Sequence, residues 1–245
     1  MATPIELTGK TLLVTGASRG IGRALVDDAL ERGAATIYAA ARTPLEHSDP
    51  RVRAIRLDLT DPATVASAAR GIEHLDVLIN NAGISVVDDL TDVAAIESHL
   101  SVNLFGTFRV TRAFLPHLTA SRGVLLNVLS LAALATVPIT PAYAISKAAA
   151  LSMTQSWRVL LAAAGVSVHA ALPGPVDTDM IRGWEIPKAS PADVARAILE
   201  GLTNGQEEIF PDPMSAALEP AWENGIVKAL ERGNAAAIAA MGAAS

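Results

Sequence analysis

Two side chains four residues apart give the first indication of chemistry. Tyr143 and Lys147 stand in "YAISK" (143–147) at the start of a predicted helix, so they share one helix face. A phenol has a pKa of about 10, and a neighbouring ammonium group favours its phenolate form. The pair could therefore exchange a proton near neutral pH, although an ordinary pair on a helix surface has the same spacing.

Two further polar side chains fall where such a site would need them. Ser130 precedes Tyr143 at the carboxyl end of a predicted buried strand, which is the edge where open α/β sheets bind ligands. Its hydroxyl could bond a substrate carbonyl while Tyr143 supplies the proton. Asn103 interrupts a mostly apolar predicted helix. It is either a satisfied buried amide or the holder of a water that relays protons to Lys147.

The segment "VTGASRGIG" (14–22) places three glycines between a predicted strand and a predicted helix. Gly16 would permit a tight turn, and Gly20 and Gly22 would let a pyrophosphate approach bare N–H groups at the helix N-terminus. The Lys-Ser/Thr pair of a Walker loop is missing. Buried strand-to-helix turns often use glycine for purely structural reasons, so the turn alone indicates a nucleotide site without establishing it.

The elements that would position these residues alternate along the chain, which is typical of a parallel sheet with helices on both faces. Strands are predicted at 10–15, 36–41, 52–59, 76–80, 123–130 and 166–172, with a brief one at Ile209–Phe210. Helices are predicted at 20–33, 61–72, 91–118, 141–164 and 191–203. No linker or repeat divides the chain, so a single domain over residues 1–245 is predicted.

Composition limits the possible functions. The chain is 51% hydrophobic with a net charge of −6, which indicates a globular protein and argues against nucleic-acid binding. The chain has no cysteine, which excludes disulfides, thiolate catalysis and Cys-ligated zinc, and its five histidines show no ligand spacing, so no metal site is expected. A signal segment and a membrane span are not recognisable, and a cytoplasmic location is the expectation.

Six motifs occur together in one order. They are "TGASRGIG" (15–22), "NNAG" (80–83), Asn103, Ser130, "YAISK" (143–147) and "PGPVDT" (173–178). Over roughly residues 8 to 200 the chain thereby resembles the compact, single-domain branch of the short-chain dehydrogenase/reductase family. The resemblance implies a Rossmann fold of class α/β, with a doubly wound, mostly parallel, seven-stranded sheet.

The resemblance also implies a catalytic tetrad. Tyr143 would donate the proton in reduction and accept it in oxidation, and Ser130 would orient the carbonyl. Lys147 would lower the pKa of Tyr143 and bind the nicotinamide ribose, and Asn103 would fix a relay water. The cofactor would carry the hydride. A catalytically weak dinucleotide-binding or regulatory protein on the same fold is the alternative.

Cofactor contacts follow from the same motifs. The implied set is Gly16, Ser18, Arg19, Gly20, Ile21, Gly22, Arg42, Asp58, Leu59, Asn80, Ala82, Gly83, Tyr143, Lys147, Pro173, Val176 and Thr178. The second predicted strand ends with Ala41 where an acid would bind a ribose 2′-hydroxyl, and Arg42 follows. Guanidinium groups of Arg19 and Arg42 suit a 2′-phosphate, so NADP(H) is predicted in preference to NAD(H).

The residues after Ser130 and after the PG motif are mainly apolar, which favours an apolar ketone, aldehyde or secondary alcohol as substrate and a carbonyl reductase as the enzyme. The family resemblance implies a homodimer or homotetramer. Residues 205–245 depart from the family pattern, which puts the tetramer in doubt. An amphipathic helix is predicted near 219–232, and residues 234–245 form either a tail or an interface.

Overall fold

A seven-stranded, fully parallel sheet forms the centre of the molecule. The computed structural model describes residues 4–44 and 46–243. The strands are β1 (Thr11–Thr15), β2 (Thr36–Ala41), β3 (Val52–Arg56), β4 (Val77–Asn80), β5 (Val124–Val128), β6 (Ser167–Ala171) and β7 (Glu208–Ile209). Their order is β3-β2-β1-β4-β5-β6-β7, so the strand order reverses between β1 and β4. The predicted doubly wound α/β fold is confirmed.

Helices cover both faces of this sheet. They are α1 (Gly20–Glu31), α2 (Pro62–Gly71), α3 (Val93–His99), α4 (Thr107–Ser121), α5 (Pro141–Ala162), α6 (Pro191–Thr203), α7 (Pro213–Ala216), α8 (Glu219–Glu223) and α9 (Ile226–Ala243). Apolar side chains of α1 and α6 pack on one face, and those of α2, α4 and α5 on the other. Strands buried on both sides explain the continuous apolar runs in the sequence. Within the described residues, no helix has the length and apolar character needed to cross a membrane.

The helix predicted over 91–118 is not uniform. It consists of α3, a π-helical stretch from Leu100 to Gly106, and α4. A Cβ atom on Gly106 would lie 2.7 Å from Leu59 Cβ, so the helix passes close to the loop after β3 here. π-helical turns are rare and are often found at functional sites, and this one carries Asn103.

The C-terminal segment also differs from its prediction. The single helix expected near 219–232 is divided into α8 and α9, because the chain turns at Asn224 and Gly225, two residues that commonly end helices. The stretch 234–243 continues α9 as a helix. The brief strand expected at Ile209–Phe210 is β7, one residue earlier.

A buried cluster of charges anchors α9 to the rest of the fold. Lys228 is 1% exposed and donates to Glu207 (2.7 Å) and Glu208 (2.6 Å). Arg158 of α5 approaches Glu208 to 2.8 Å and also contacts Glu231. Burial alone would lower the pKa of Lys228, but the Glu208 and Glu207 carboxylates outweigh it and raise that pKa.

Replacing Lys228 with Met is expected to lower the free energy of unfolding by about 3 kcal/mol, because it removes one of the cations that compensate the buried Glu208 carboxylate. Urea denaturation at neutral pH measures the change. The matched control is Arg232→Met, which removes an exposed partner of Glu223 and is expected to cost less than about 1 kcal/mol. Equal losses in the two variants would contradict the anchoring role of the cluster.

Candidate active site

The motifs identified in the sequence meet at one edge of the sheet. The glycine turn follows β1, "NNAG" ends β4, Ser130 follows β5, and "PGPVDT" follows β6. All four segments lie at the carboxyl ends of neighbouring parallel strands, beside the reversal between β1 and β4. Open α/β sheets bind their ligands in this crevice.

The glycine turn is shaped first by its own packing. Gly16 has φ +67°, and a Cβ atom there would lie 2.9 Å from Ala82 Cα. A Cβ atom on Gly22 would clash with the Gly16 carbonyl oxygen and lie 2.5 Å from Asn81 Nδ2. The missing side chain of Gly22 therefore makes room for the protein's own backbone and for Asn81, and the approach of a phosphate to its N–H group stays a prediction.

The same turn still fits a pyrophosphate. Helix α1 starts at Gly20, and Arg19 at its N-cap makes no side-chain capping hydrogen bond. The first N–H groups of the helix, on Gly20, Ile21 and Gly22, thus have no capping side chain, and the N-terminus of a helix carries partial positive charge. Such an end suits the phosphates of a dinucleotide. Ser18, half-buried, completes the turn.

The residues proposed for the adenosine end lie on neighbouring loops. Arg42 is exposed, Leu59 is buried, and Asp58 is half-buried between them in sequence. Hydrogen bonds from Thr60 lower the pKa of Asp58, and the nearby Arg42 charge adds to this. Arg19 is not free: its guanidinium lies 2.9 Å from an Asp179 carboxylate oxygen.

The two asparagines of "NNAG" serve the protein interior. Asn80 is buried, and its amide nitrogen donates to Thr111 (2.9 Å) and Asn127 (3.0 Å). Asn81 donates to the Thr15 carbonyl (3.0 Å) and so ties the end of β4 to β1. The side-chain oxygen of Asn80 is buried and accepts no hydrogen bond from the residues that the structure describes, and a cofactor contact at this residue stays a prediction. Both side chains therefore contribute to the cohesion of the sheet.

Ser130, Tyr143 and Lys147 come together beyond β5. Tyr143 keeps part of its surface exposed, and a hydrogen bond links it to Ser130. Lys147 is buried, with its ammonium group 5.6 Å from the centre of the Tyr143 ring and 2.9 Å from the Val128 carbonyl oxygen, to which it donates. Gly83 lies close by, since its Cβ position is 3.7 Å from Lys147 Nζ.

Burial dominates the protonation of this group. Desolvation raises the pKa of Tyr143 to about 12, and the hydrogen bond with Ser130 opposes the rise. Desolvation also lowers the pKa of Lys147 to about 8. The lowered pKa expected for the Tyr143 phenol is therefore not found in the protein without its cofactor. Tyr143 is held as a neutral phenol, the form that can donate a proton.

The side chain of Asn103 is a satisfied buried amide. Its nitrogen donates to the Ile84 carbonyl and to Ser146 Oγ, each at 2.9 Å, and its oxygen accepts from the Ile84 N–H at 2.9 Å. A relay water would therefore have to use the main-chain carbonyl of Asn103, which accepts a hydrogen bond from Thr107 Oγ1 (3.0 Å). That relay stays a prediction.

Two contacts near Tyr143 were not predicted from the sequence. Ser146, fully buried, donates to the Tyr143 carbonyl (2.7 Å) and so links it to Asn103. His99 is buried and lies in an edge-to-face arrangement with Tyr143, with 6.4 Å between the ring centres. Only the position of Ser146 inside "YAISK" pointed to it. His99 looked like one of five scattered histidines.

The segment after β6 closes the site from the other side. Pro173 and Val176 are buried, and Thr178 packs its methyl group against the turn, 3.1 Å from the Cβ position of Gly20. Val176 pairs with Ala189, which brings together the ends of the intervening loop. The loop is thereby pinned at its base.

The C-terminal segment supports the residues expected to face a substrate. Leu131 and Leu134, just after Ser130, pack with Phe210 and Trp222 in one apolar cluster. The indole nitrogen of Trp222 donates to Glu208 (3.1 Å), which belongs to the buried charge cluster. The divergent segment thus lies behind the apolar wall next to Ser130.

Comparison with known proteins agrees with this geometry. The family model "short chain dehydrogenase" matches residues 10–188. The chain is 34% identical over 202 residues to the short chain dehydrogenase pigC of Monascus ruber, covering 73% of this chain and 66%, just under two thirds, of that protein. It is 31% identical over 214 residues to oxidoreductase UcpA of Escherichia coli (strain K12), covering 79% and 81%.

A solved structure is similar over nearly the whole chain. It is a short chain dehydrogenase from Burkholderia cenocepacia J2315 in complex with NADP, which is 36% identical and superposes with a TM-score of 0.84. The match covers 90% of this chain and 95% of that one. The chain therefore belongs to the short-chain dehydrogenase family, whose members are oxidoreductases acting on CH–OH and C=O groups.

Proposed function

We propose that the protein is an NADP(H)-dependent oxidoreductase that interconverts apolar ketones or aldehydes and the corresponding alcohols. The observation that carries this proposal is the grouping of Ser130, Tyr143 and Lys147 at the carboxyl edge of the sheet. A neutral phenol, a hydroxyl and a buried ammonium group stand together there. The apolar residues after Ser130 favour an apolar substrate.

The protein's own groups account for the proton chemistry. A bound nicotinamide cofactor would supply or accept the hydride. In reduction, Tyr143 would donate its phenolic proton to the substrate oxygen while the Ser130 hydroxyl orients that oxygen. Lys147, close to the phenol ring and held on the Val128 carbonyl, would stabilise the negative charge left on Tyr143. Burial of Lys147 strengthens this charge interaction.

Two arginines support a preference for the phosphorylated cofactor. Arg42 is exposed at the end of β2, after a buried alanine where an acidic residue would otherwise bind the 2′-hydroxyl. Arg19 would have to exchange Asp179 for the 2′-phosphate. The similar Burkholderia protein was solved with NADP. The preference is supported by these observations together.

Replacing Arg42 with Asp is expected to lower kcat/KM for NADPH by about 30-fold, because a charge-assisted hydrogen bond to the 2′-phosphate is lost. The value for NADH should change little, so the ratio of the two specificity constants reports the effect. Arg70→Asp, the same charge reversal at an exposed position on α2, is the control. A wild-type enzyme with a higher kcat/KM for NADH would contradict the predicted preference.

A substrate screen tests the function itself. NADPH oxidation is followed by its ultraviolet absorbance with acetophenone, cyclohexanone, octanal and benzaldehyde, and alcohol oxidation is followed with NADP⁺. Turnover with at least one apolar carbonyl is expected. Tight binding of NADPH without hydride transfer to any of them would instead indicate the catalytically weak, dinucleotide-binding alternative.

We also propose that the protein forms a homo-oligomer through the long helices beside the site. Phe105 and Phe108, near the junction of the π-helical stretch and α4, are 54% and 44% exposed, and Leu160 on α5 is 71% exposed. Large apolar side chains at these positions support a dimer interface.

A further inference from the structure

The first turn of α5 lacks a cap from its own sequence. Pro141 has no N–H group, and the Thr140 side chain makes no capping hydrogen bond. Ala142 therefore carries the first backbone N–H that needs a partner, and Tyr143 is the next residue. The geometry of this turn sets where the phenol points.

A distant residue supplies the missing cap. The Ala142 N–H donates to the Asp88 carboxylate, 3.2 Å from Oδ2, across 54 residues of sequence. In return, the Asp88 N–H donates to the Ile139 carbonyl (3.2 Å). The loop after β4 and the start of α5 thus hold each other in both directions.

The same loop is fixed to the helix that contains the π-helical stretch. Asn103 binds both the N–H and the carbonyl of Ile84. His99 Nε2 accepts from the Val86 N–H (3.1 Å), while its Nδ1 donates to the Ala95 carbonyl (2.6 Å). Residues 84–88, here termed the strap, are therefore held at Ile84, Val86 and Asp88.

The strap joins the two halves of the site. Gly83, directly before it, lies next to Lys147 Nζ and Asn103 Oδ1, with its Cβ position 3.7 Å and 3.1 Å from them. At its other end Asp88 caps the turn that carries Tyr143. A cap from Thr140 would stabilise α5 but would not connect the helix to the end of β4. The strap connects α5 to β4 through the hydrogen bond of Asp88.

We propose that Asp88 is a positioning residue for Tyr143. By capping α5 from the strap, it fixes the phenol relative to Ser130 and Lys147. The proposal rests on the proposed role of Tyr143 as proton donor. A catalytic group displaced by about 1 Å can lose a large part of its effect on rate, so the loss of this cap is expected to reduce kcat more than cofactor binding.

Two variants distinguish the hydrogen bond of Asp88 from its charge. Asp88→Ala removes both, whereas Asp88→Asn removes the charge but still accepts a hydrogen bond from the Ala142 N–H. In Asp88→Ala, kcat for the best carbonyl of the screen is expected to fall at least about 10-fold, with KM for NADPH within about twofold of wild type. Asp88→Asn should restore most of kcat. The control is Asp89→Ala, since Asp89 is exposed and its carboxylate accepts hydrogen bonds from Thr91 in the same loop.

A readout independent of activity uses the tyrosines. The chain has two, Tyr38 and Tyr143. Tyrosine isotope-labelled at Cζ gives one NMR signal for each, and Tyr38→Phe assigns them. The Tyr143 signal is expected to shift or broaden in Asp88→Ala and to keep its wild-type position in Asp88→Asn and Asp89→Ala.

Two results would overturn the proposal. One is an Asp88→Ala protein with the kcat and the Tyr143 signal of wild type. The other is an Asp88→Asn protein as impaired as Asp88→Ala, since the cap would then not be the cause. If wild type reduces no carbonyl, the proposed function fails, and if Tyr143→Phe turns over as well as wild type, the proton-donor role of Tyr143 fails. In both cases the NMR signals still decide whether Asp88 positions Tyr143.

Discussion

Replacing Tyr143 with Phe is expected to lower kcat for carbonyl reduction about a thousandfold, the effect of losing a well-placed general acid. The substitution removes only the phenolic oxygen, so the hydrogen bond with Ser130 and the transferable proton are lost while the ring stays. Steady-state kinetics with NADPH and the best ketone of the screen measure the loss. NADPH affinity, followed by quenching of tryptophan fluorescence, should remain within about threefold because the phosphate-binding turn is untouched.

Tyr38→Phe is the matched control, because it removes the other phenolic oxygen of the chain. Tyr38 lies on β2 and its hydroxyl accepts a hydrogen bond from Arg53 at the protein surface. This variant should keep wild-type kcat. If Tyr143→Phe kept more than about a tenth of the wild-type kcat, Tyr143 would not be the proton donor.

Replacing Gly22 with Ala is expected to abolish detectable NADPH binding and to lower the free energy of unfolding by about 3 kcal/mol. The added methyl group would overlap the Gly16 carbonyl oxygen and lie 2.5 Å from Asn81 Nδ2. Backbone atoms cannot yield as a flexible side chain does, so the turn and the start of α1 must move. Thermal unfolding and fluorescence titration with NADPH measure the two effects.

Gly71→Ala controls for the effect of the substitution itself. A Cβ atom at Gly71 would have no neighbour within 4 Å, and the residue ends α2. Alanine favours the helix, so this variant should be as stable as wild type or more stable by up to about 1 kcal/mol. A Gly22→Ala protein with wild-type NADPH affinity would show that the turn tolerates a side chain and is not the phosphate site.

Much of the fold was predictable because its signals are local. Strands buried on both faces are continuous apolar runs, as in "VLLNV", and helices begin at caps such as Asp61 and Asp92. The alternation of strands and helices along the chain is then compatible with only a few arrangements of the strands in the sheet. The glycine turn and Ser130 fall at strand ends, and Tyr143 stands at the start of the helix that follows Ser130, so their meeting at one edge was also predictable from the sequence.

The predicted helix bounds were wrong at two places, around Asn103 and in the C-terminal segment. Nothing in the apolar stretch around Asn103 indicated a π-helical turn, and the residues that contact it, Leu59 and Ile84, are distant in sequence. The amphipathic pattern over 219–232 predicts one helix, and the turn at Asn224 and Gly225 divides it into α8 and α9.

The sequence by itself determined the strand order along the chain, the strand-end positions of Ser130 and the glycine turn, and the helical pairing of Tyr143 with Lys147, since these depend on neighbours in sequence. The tertiary structure decided how tightly those residues are packed and how far their pKa values are shifted. Gly22 is required by packing against Gly16, and desolvation of the half-buried Tyr143 side chain raises its pKa to about 12. Residues that are distant in sequence come together only on folding. They partly bury Tyr143, leave no space for a side chain at Gly22 and place Asp88 where it caps α5.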